Sequence, residues 1–309
     1  MAEFQLTTPV AFFIFNRPRE TRRVFEEIAK AKPKTLFVIA DGPRPNVMGE
    51  DIKVFETREI IKKINWDCEL LTNFSNINLG CKVRVSSGID WLFEKVEEAI
   101  ILEDDCLPEP SFFQFCQELL ERYRYDSRIG MISGDNFQFG FRLNDDSYYF
   151  SNMSHIWGWA TWRSRWQSDY DVSMQHWPKV RNEQRVSDWT AIKSEQKSLI
   201  RNFEKTYQGK IDTWDHQWNF CSRNNGRISV MPNVNLISNI GFGIGATHTI
   251  RGSELANMTL EKMQFPLKHP VGIHASTIMD TRFHKQFGHR RVGPYVKNKL
   301  KNILASLNI

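Results

Sequence analysis

Over residues 1–140 the chain alternates short apolar runs with amphipathic stretches, and no other feature restricts its folding as tightly. Residues 9–16, 35–40, 68–73, 99–103 and 130–133 form apolar runs of the length expected for strands covered on both faces. Stretches of helical period lie between them. Residues 19–30 place Val24, Phe25 and Ile28 on one side; residues 51–64 carry Ile52, Phe55, Ile60 and Ile61; residues 83–96 carry Ile89, Leu92, Phe93 and Val96. A further helix is expected over 110–125, opened by Pro108-Glu109-Pro110-Ser111 and lined by Phe112, Phe113, Cys116, Leu119 and Leu120. Strand–helix–strand units of this kind make a Rossmann-like α/β fold, with a mostly parallel central sheet flanked by helices.

Beyond residue 140 the pattern loosens. Helices are expected at 187–207 and 214–224 and a strand at 228–231, after which glycine and polarity rise through 239–245. Five of the ten tryptophans, Trp157, Trp159, Trp162, Trp166 and Trp177, crowd one stretch. Such density either packs a second core or walls a pocket for a ligand with apolar faces, such as a sugar ring. With 309 residues, 41% hydrophobic and 25% charged, the composition is globular and excludes disorder and coiled coil. The apolar run from Val10 to Phe15 is far short of the ~20 residues that span a bilayer, and no cleavable leader precedes it. Five cysteines without a C-x-x-C pair read as reduced thiols, so a cytoplasmic protein without zinc or disulfides is expected.

Charge is unevenly distributed. From residue 281 to the end there are seven cations (Arg282, Lys285, Arg290, Arg291, Lys297, Lys299, Lys301) and no acid, while residues 1–280 are close to neutral. Val296, Leu300, Ile303, Leu304 and Leu307 recur there at helical spacing. This basic helical tail suits an anionic membrane surface; it equally suits a helix that packs on the body and turns its lysines to water. A nucleic-acid partner is disfavoured because the body lacks a basic stripe.

In open parallel sheets ligands bind beyond the carboxyl ends of the strands, so the polar residues that end each run matter most. The first run ends in Asn16-Arg17-Pro18, the second in Asp41-Gly42-Pro43-Arg44 and the fourth in Glu103-Asp104-Asp105. Three consecutive carboxylates behind Ile100-Ile101-Leu102 call for a cation, and a hard Mg²⁺ or Mn²⁺ ion carrying substrate phosphates answers that need. A solvated turn that caps a helix is the alternative. Lys82 and Arg84 begin a helix whose N–H groups and dipole favour phosphate, and Arg17 adds a third cation. Neither G-x-G-x-x-G nor a P-loop follows the first run, and G-x-S-x-G and H-E-x-x-H are also missing. Downstream, Trp214-Asp215-His216-Gln217-Trp218 sets a carboxylate among aromatics, where desolvation favours a general base, although an Asp here also fits a helix cap. Gly241 to His248 forms a glycine-rich loop ending in an imidazole, suited to closing over phosphates.

Taken together, these motifs resemble the nucleotide-sugar glycosyltransferases of the GT-A fold, in particular the N-acetylglucosaminyltransferase I type and bacterial family-2-like sugar transferases. The resemblance runs over residues 9 to about 250. It is carried by Arg84 through Gly88-Ile89 to Ile100-Ile101-Leu102-Glu103-Asp104-Asp105, by Pro110-Ser111-Phe112-Phe113, and by Gly158-Trp159 with Trp214-Asp215 and Trp218. It implies a GT-A domain over 1–280, with a nucleotide-sugar half (1–140) and an acceptor half (141–280), followed by the tail 281–309. It further implies that Asp105 binds Mn²⁺ or Mg²⁺ and that Glu103 and Asp104 face the donor sugar and ribose. Arg17 and Asp41 would contact the nucleoside diphosphate and uracil, Arg84 the nucleotide and His248 a phosphate or the metal. Asn16 at its strand end and Lys82 at its helix start are expected beside them, and Trp157, Gly158, Trp159 and Trp214 at the acceptor. Asp215 inherits the role of catalytic base, while His216 stands where the family has a second acid.

The implied activity is inverting transfer from a UDP-sugar, with UDP-GlcNAc or a related hexose as donor. The acceptor would be a glycan or lipid-linked saccharide of polysaccharide biosynthesis, and the enzyme cytoplasmic, at the inner face of the membrane. A sugar nucleotidyltransferase would want a Gly-rich loop after the first run, and a non-catalytic carbohydrate-binding protein would use the aromatics alone.

Overall fold

The computed structural model describes residues 4–242 and 254–287. The chain forms, in order, β1 (Val10–Ile14), α1 (Pro18–Ala31), β2 (Thr35–Ala40), α2 (Glu50–Glu59), a 3-10 turn (Ile60–Lys63), β3 (Glu69–Phe74) and α3 (Gly80–Phe93). It continues with β4 (Glu98–Glu103), β5 (Cys106–Pro108), α4 (Ser111–Tyr123), β6 (Ile129–Ser133), β7 (Tyr148–Ser151) and β8 (Trp159–Trp162). Then come α5 (Arg163–Asp169), α6 (Trp177–Asn182), α7 (Val186–Trp189), α8 (Lys193–Tyr207), α9 (Asp215–Asn224), β9 (Ile228–Pro232), β10 (Ile237–Asn239) and α10 (Thr277–Phe287).

Eight strands make one sheet in the order β3-β2-β1-β4-β8-β6-β9-β7. β3, β2, β1 and β4 are mutually parallel and β6 pairs parallel with β9; β8 runs antiparallel between β4 and β6, and β7 antiparallel at the edge. This is a mixed α/β architecture with a large, mostly parallel central sheet flanked by helices, as the alternation of the first 140 residues implies. The strand order reverses between β1 and β4. A switch point of this kind opens a crevice at the carboxyl ends of the two strands.

Alternate residues of each strand enter opposite layers. Val10, Phe12 and Ile14 join Val24, Phe25 and Ile28 of α1 and Phe112, Phe113 and Leu119 of α4. Ala11 and Phe13 join Ile89, Leu92 and Phe93 of α3, together with Trp159, Trp166, Trp214 and Trp218. A third cluster, containing Trp177, Leu199, Phe203 and Phe220, ties α6 and α8 to α9.

Two expectations are corrected. Ile52 and Phe55 do not face the core: they are 59% and 63% exposed, because α2 packs through Val54 and Thr57 and turns Glu50 inward. The helix expected over 187–207 is two helices, since extended Thr190 accepts the N–H of Ile192 at 3.1 Å and donates to Glu195 at 2.6 Å. The first residues of the basic tail belong to α10 (Thr277–Phe287), and those after Phe287 lie outside the described residues.

Candidate active site

The crevice at the switch point is a cavity of about 460 Å³. It is lined by the ends of β1, β2 and β4, the start of α3, the residues before α9, and Trp157. β1 and β4 are bound together at their ends: the Phe15 N–H donates to Asp104 at 2.9 Å. Arg17 Nη1 then reaches Asp104 at 3.2 Å and Asp105 at 2.6 Å. Burial opposes the guanidinium charge, but the two carboxylates outweigh it and raise the Arg17 pKa.

One guanidinium is too little for the acids that gather here. Burial, reinforced by the charges of Asp105, Asp104 and Asp215, pushes the Glu103 carboxyl up to about 8. Burial also raises Asp104, to about 7, with Arg17 opposing and Asp105 adding to the shift. Among the described residues no hydrogen bond reaches the Glu103 side chain. Nor do three or more His, Cys, Asp or Glu side chains converge into a ready-made metal cage. The carboxylates present are hard oxygen donors with surplus negative charge, which fits an ion held by one carboxylate and by the oxygens of a ligand.

At the end of β2, Asp41 is buried and accepts N–H groups of Gly42 (2.9 Å), Leu79 (2.9 Å) and Gly80 (3.0 Å) and the Asn78 amide (3.1 Å). The Asp41 carboxylate therefore fastens β2 to the start of α3. Asn16 likewise directs its amide to Glu50 at 2.7 Å, where Arg44 also binds. Arg84 differs from both. It is only 8% exposed, lines the cavity, and its Nε and Nη2 atoms have no hydrogen-bond partner. Burial and the charge of Arg58 lower its pKa against the pull of Asp41.

The first turn of α3, expected to receive phosphate, is occupied by Asp212. That carboxylate accepts the N–H of Cys81 at 3.0 Å and of Lys82 at 3.1 Å, and the Lys82 side chain is not part of the cavity wall.

Opposite the acidic triad stands Asp215, the first residue of α9, which accepts a hydrogen bond from the Thr213 hydroxyl. The ring of Trp214, beside it, stacks on Trp159 at 5.5 Å. His216 bonds to Thr206 at 2.8 Å and does not line the cavity. Of the expected acceptor residues, Trp157 and Trp214 reach the wall, whereas Gly158 and Trp159 do not. Trp159 is core. Gly158 has φ +58° and is packed against Ile237 and Leu102, so its role is to let the chain turn between β10 and the sheet.

The glycine loop begins at the same place. The Ile240 N–H donates to the Asp105 carbonyl at 2.8 Å, Gly241 lies directly against the Asp105 carboxylate, and Phe242 meets the Trp157 ring edge-on at 5.8 Å. His248 lies outside the described residues. Asp212, Thr213, Asn78 and Ile156, all in the wall, were not expected from the sequence, whereas Asn239 opens the stretch expected to close over the donor. The acid at 212, three residues before Asp215, was the available signal.

No family model matches the chain, and no curated protein matches it. Its fold is similar to part of a Staphylococcus aureus TarS fragment (residues 1–349), at 8% identity, 51% of this chain, 47% of that one and TM-score 0.35. It is also similar to UDP-glucose pyrophosphorylase complexed with UDP-glucose (12%, 47% and 62%, TM-score 0.26) and to HddC from Yersinia pseudotuberculosis (10%, 50% and 77%, TM-score 0.30). The chain thus spans less than two thirds of the first two.

Proposed function

We propose that this protein is a metal-dependent inverting glycosyltransferase that moves a sugar from a UDP-sugar to a hydroxyl of a glycan or lipid-linked acceptor. The observation that carries the reading is the meeting of Asp215 with Glu103, Asp104 and Asp105 in one cavity at the sheet's switch point. Asp105 would hold a Mn²⁺ or Mg²⁺ ion together with the donor, and that ion would supply positive charge to offset the charge of the leaving UDP. Arg17 fixes the Asp105 carboxylate, and Arg84 offers its unpartnered N–H groups to the nucleotide.

Glu103 faces the donor sugar. Asp215 takes the proton of the acceptor hydroxyl as that oxygen bonds the anomeric carbon, and the electron pair of the old glycosidic bond leaves with UDP. Trp157 and Trp214 wall the acceptor side and exclude water. Asn16-Arg17-Pro18 supplies no Gly-rich cradle after β1, which weighs against nucleotidyl transfer.

The test is the release of UDP from a panel of UDP-sugars with candidate acceptors, with and without Mn²⁺. Asp215→Asn should lower turnover by about 10² to 10⁴ while leaving donor binding intact. Near-normal turnover in that variant would remove Asp215 from the role of base.

A further inference from the structure

Away from the cavity, exposed apolar side chains and cations without an ion pair among the described residues meet on the face formed by α10 and the loop after β6. The loop after β6 exposes Phe139 (41%), and α10 exposes Ile278 (61%) together with Arg282 and Lys285. These residues adjoin. The Arg282 guanidinium lies 4.4 Å from the Phe141 ring centroid, and Phe139 lies 5.8 Å from Phe287. Phe141, Ile278, Arg282 and Lys285 line a single open groove. Arg142 beside them is held by Glu261 at 3.3 Å, whereas Arg282 and Lys285 make no ion pair among the described residues.

The sequence after Phe287 adds Arg290, Arg291, Lys297, Lys299 and Lys301 and no acid. Cations interleaved with aromatic and branched aliphatic side chains match the headgroup region of an anionic bilayer, where the rings enter the acyl boundary and the cations meet phosphates. Towards the interior, the Phe137 ring touches Phe283 (6.0 Å), Phe287 (6.4 Å) and Trp157 (5.1 Å). One layer of rings therefore separates this face from the cavity wall.

We propose that the face formed by Phe139, Phe141, Ile278, Arg282 and Lys285 docks on an anionic lipid bilayer and holds the Trp157 side of the cavity at the membrane surface, so that the acceptor is lipid-linked. The acceptor clause rests on the glycosyl-transfer reading; docking stands without it.

The full chain is sedimented with phosphatidylglycerol-containing vesicles and with pure phosphatidylcholine vesicles. Binding is expected to the anionic vesicles alone, weakened by salt, and reduced about fivefold for each cation lost in the Arg282→Glu/Lys285→Glu variant. Ile278→Ser should weaken it further at constant charge. Both variants should keep the parent's thermal unfolding midpoint, which shows them folded whether or not UDP release is detected. Equal binding to neutral vesicles, or undiminished binding of the double variant, overturns the proposal. So does a concentration-dependent dimer without vesicles that the double variant cannot form, since that assigns the face to a second copy of the chain.

Discussion

Glu103, Asp104 and Asp105 face one guanidinium, and the imbalance sets the chemistry open to the cavity. Arg17 engages Asp104 and Asp105 and leaves Glu103 without a cation of its own. Its carboxyl, pushed up to about 8 from an ordinary 4.5, holds its proton longer in the folded chain than in the unfolded one. Stability from this group is therefore full below pH 4.5 and declines as pH rises through about 8. For metal-free protein, Glu103→Gln should leave the melting temperature unchanged near pH 5 and raise it by several degrees at about pH 8.5. Divalent cation with UDP should narrow that difference. Differential scanning calorimetry at the two pH values checks this, and equal melting temperatures at the higher one would mean that the surplus charge is already neutralised within the chain.

At the scale of elements, the start of α3 shows how the site is built. Asp41 and Asp212 together take four consecutive N–H groups, from Leu79 to Lys82, so this helix end closes the cavity wall and is not free to bind phosphate. Asp212→Ala should cost about 1 kcal/mol of stability, as loss of a cap does, measurable by urea unfolding. Gly241→Ala is expected to act on ligand binding more than on folding, because a methyl group there would displace the Asp105 carboxylate; metal-dependent UDP binding reads the difference.

β1, β2, β4 and β6 and the helices α1, α3 and α4 were legible because each buries a run of matching period. β3 was legible as a strand but lies at the sheet edge with Leu70 41% and Phe74 37% exposed, and the short β5 carries no such run. β8 was not legible: Trp159 and Trp162 enter opposite layers, both faces are covered, and its antiparallel place between β4 and β6 is decided by tertiary packing. The residues that end β1, β2 and β4 were legible as cavity residues by their place at strand ends. The distant partners of Asp41 (Leu79), Asn16 (Glu50) and Arg17 (Asp104) were not, since they lie 34 or more positions away. Nothing local marks Asp212 as a partner of α3, which begins at Gly80 and whose Cys81 lies 131 positions earlier.

On the scale of the whole molecule, strands from before and after residue 140 share one sheet, because β8 pairs antiparallel with both β4 and β6 and so joins β9 and β7 to the parallel set of β3, β2, β1 and β4. Among the described residues no helix is long and apolar enough to cross a membrane. A continuous sheet predicts one cooperative unfolding transition, with tryptophan fluorescence and far-ultraviolet circular dichroism coincident; two separated transitions would make the halves independent. The central claim is that the acidic end of β4 grips a divalent cation bearing a nucleoside diphosphate. The most direct measurement is thermal unfolding with UDP at about 100 times its Kd, with and without Mn²⁺, for the parent and Asp105→Ala. The account predicts about 2.7 kcal/mol of stabilisation in the parent with Mn²⁺, and its loss without the metal or in the variant. Equal stabilisation in all four conditions, or none in the parent with Mn²⁺, would contradict it.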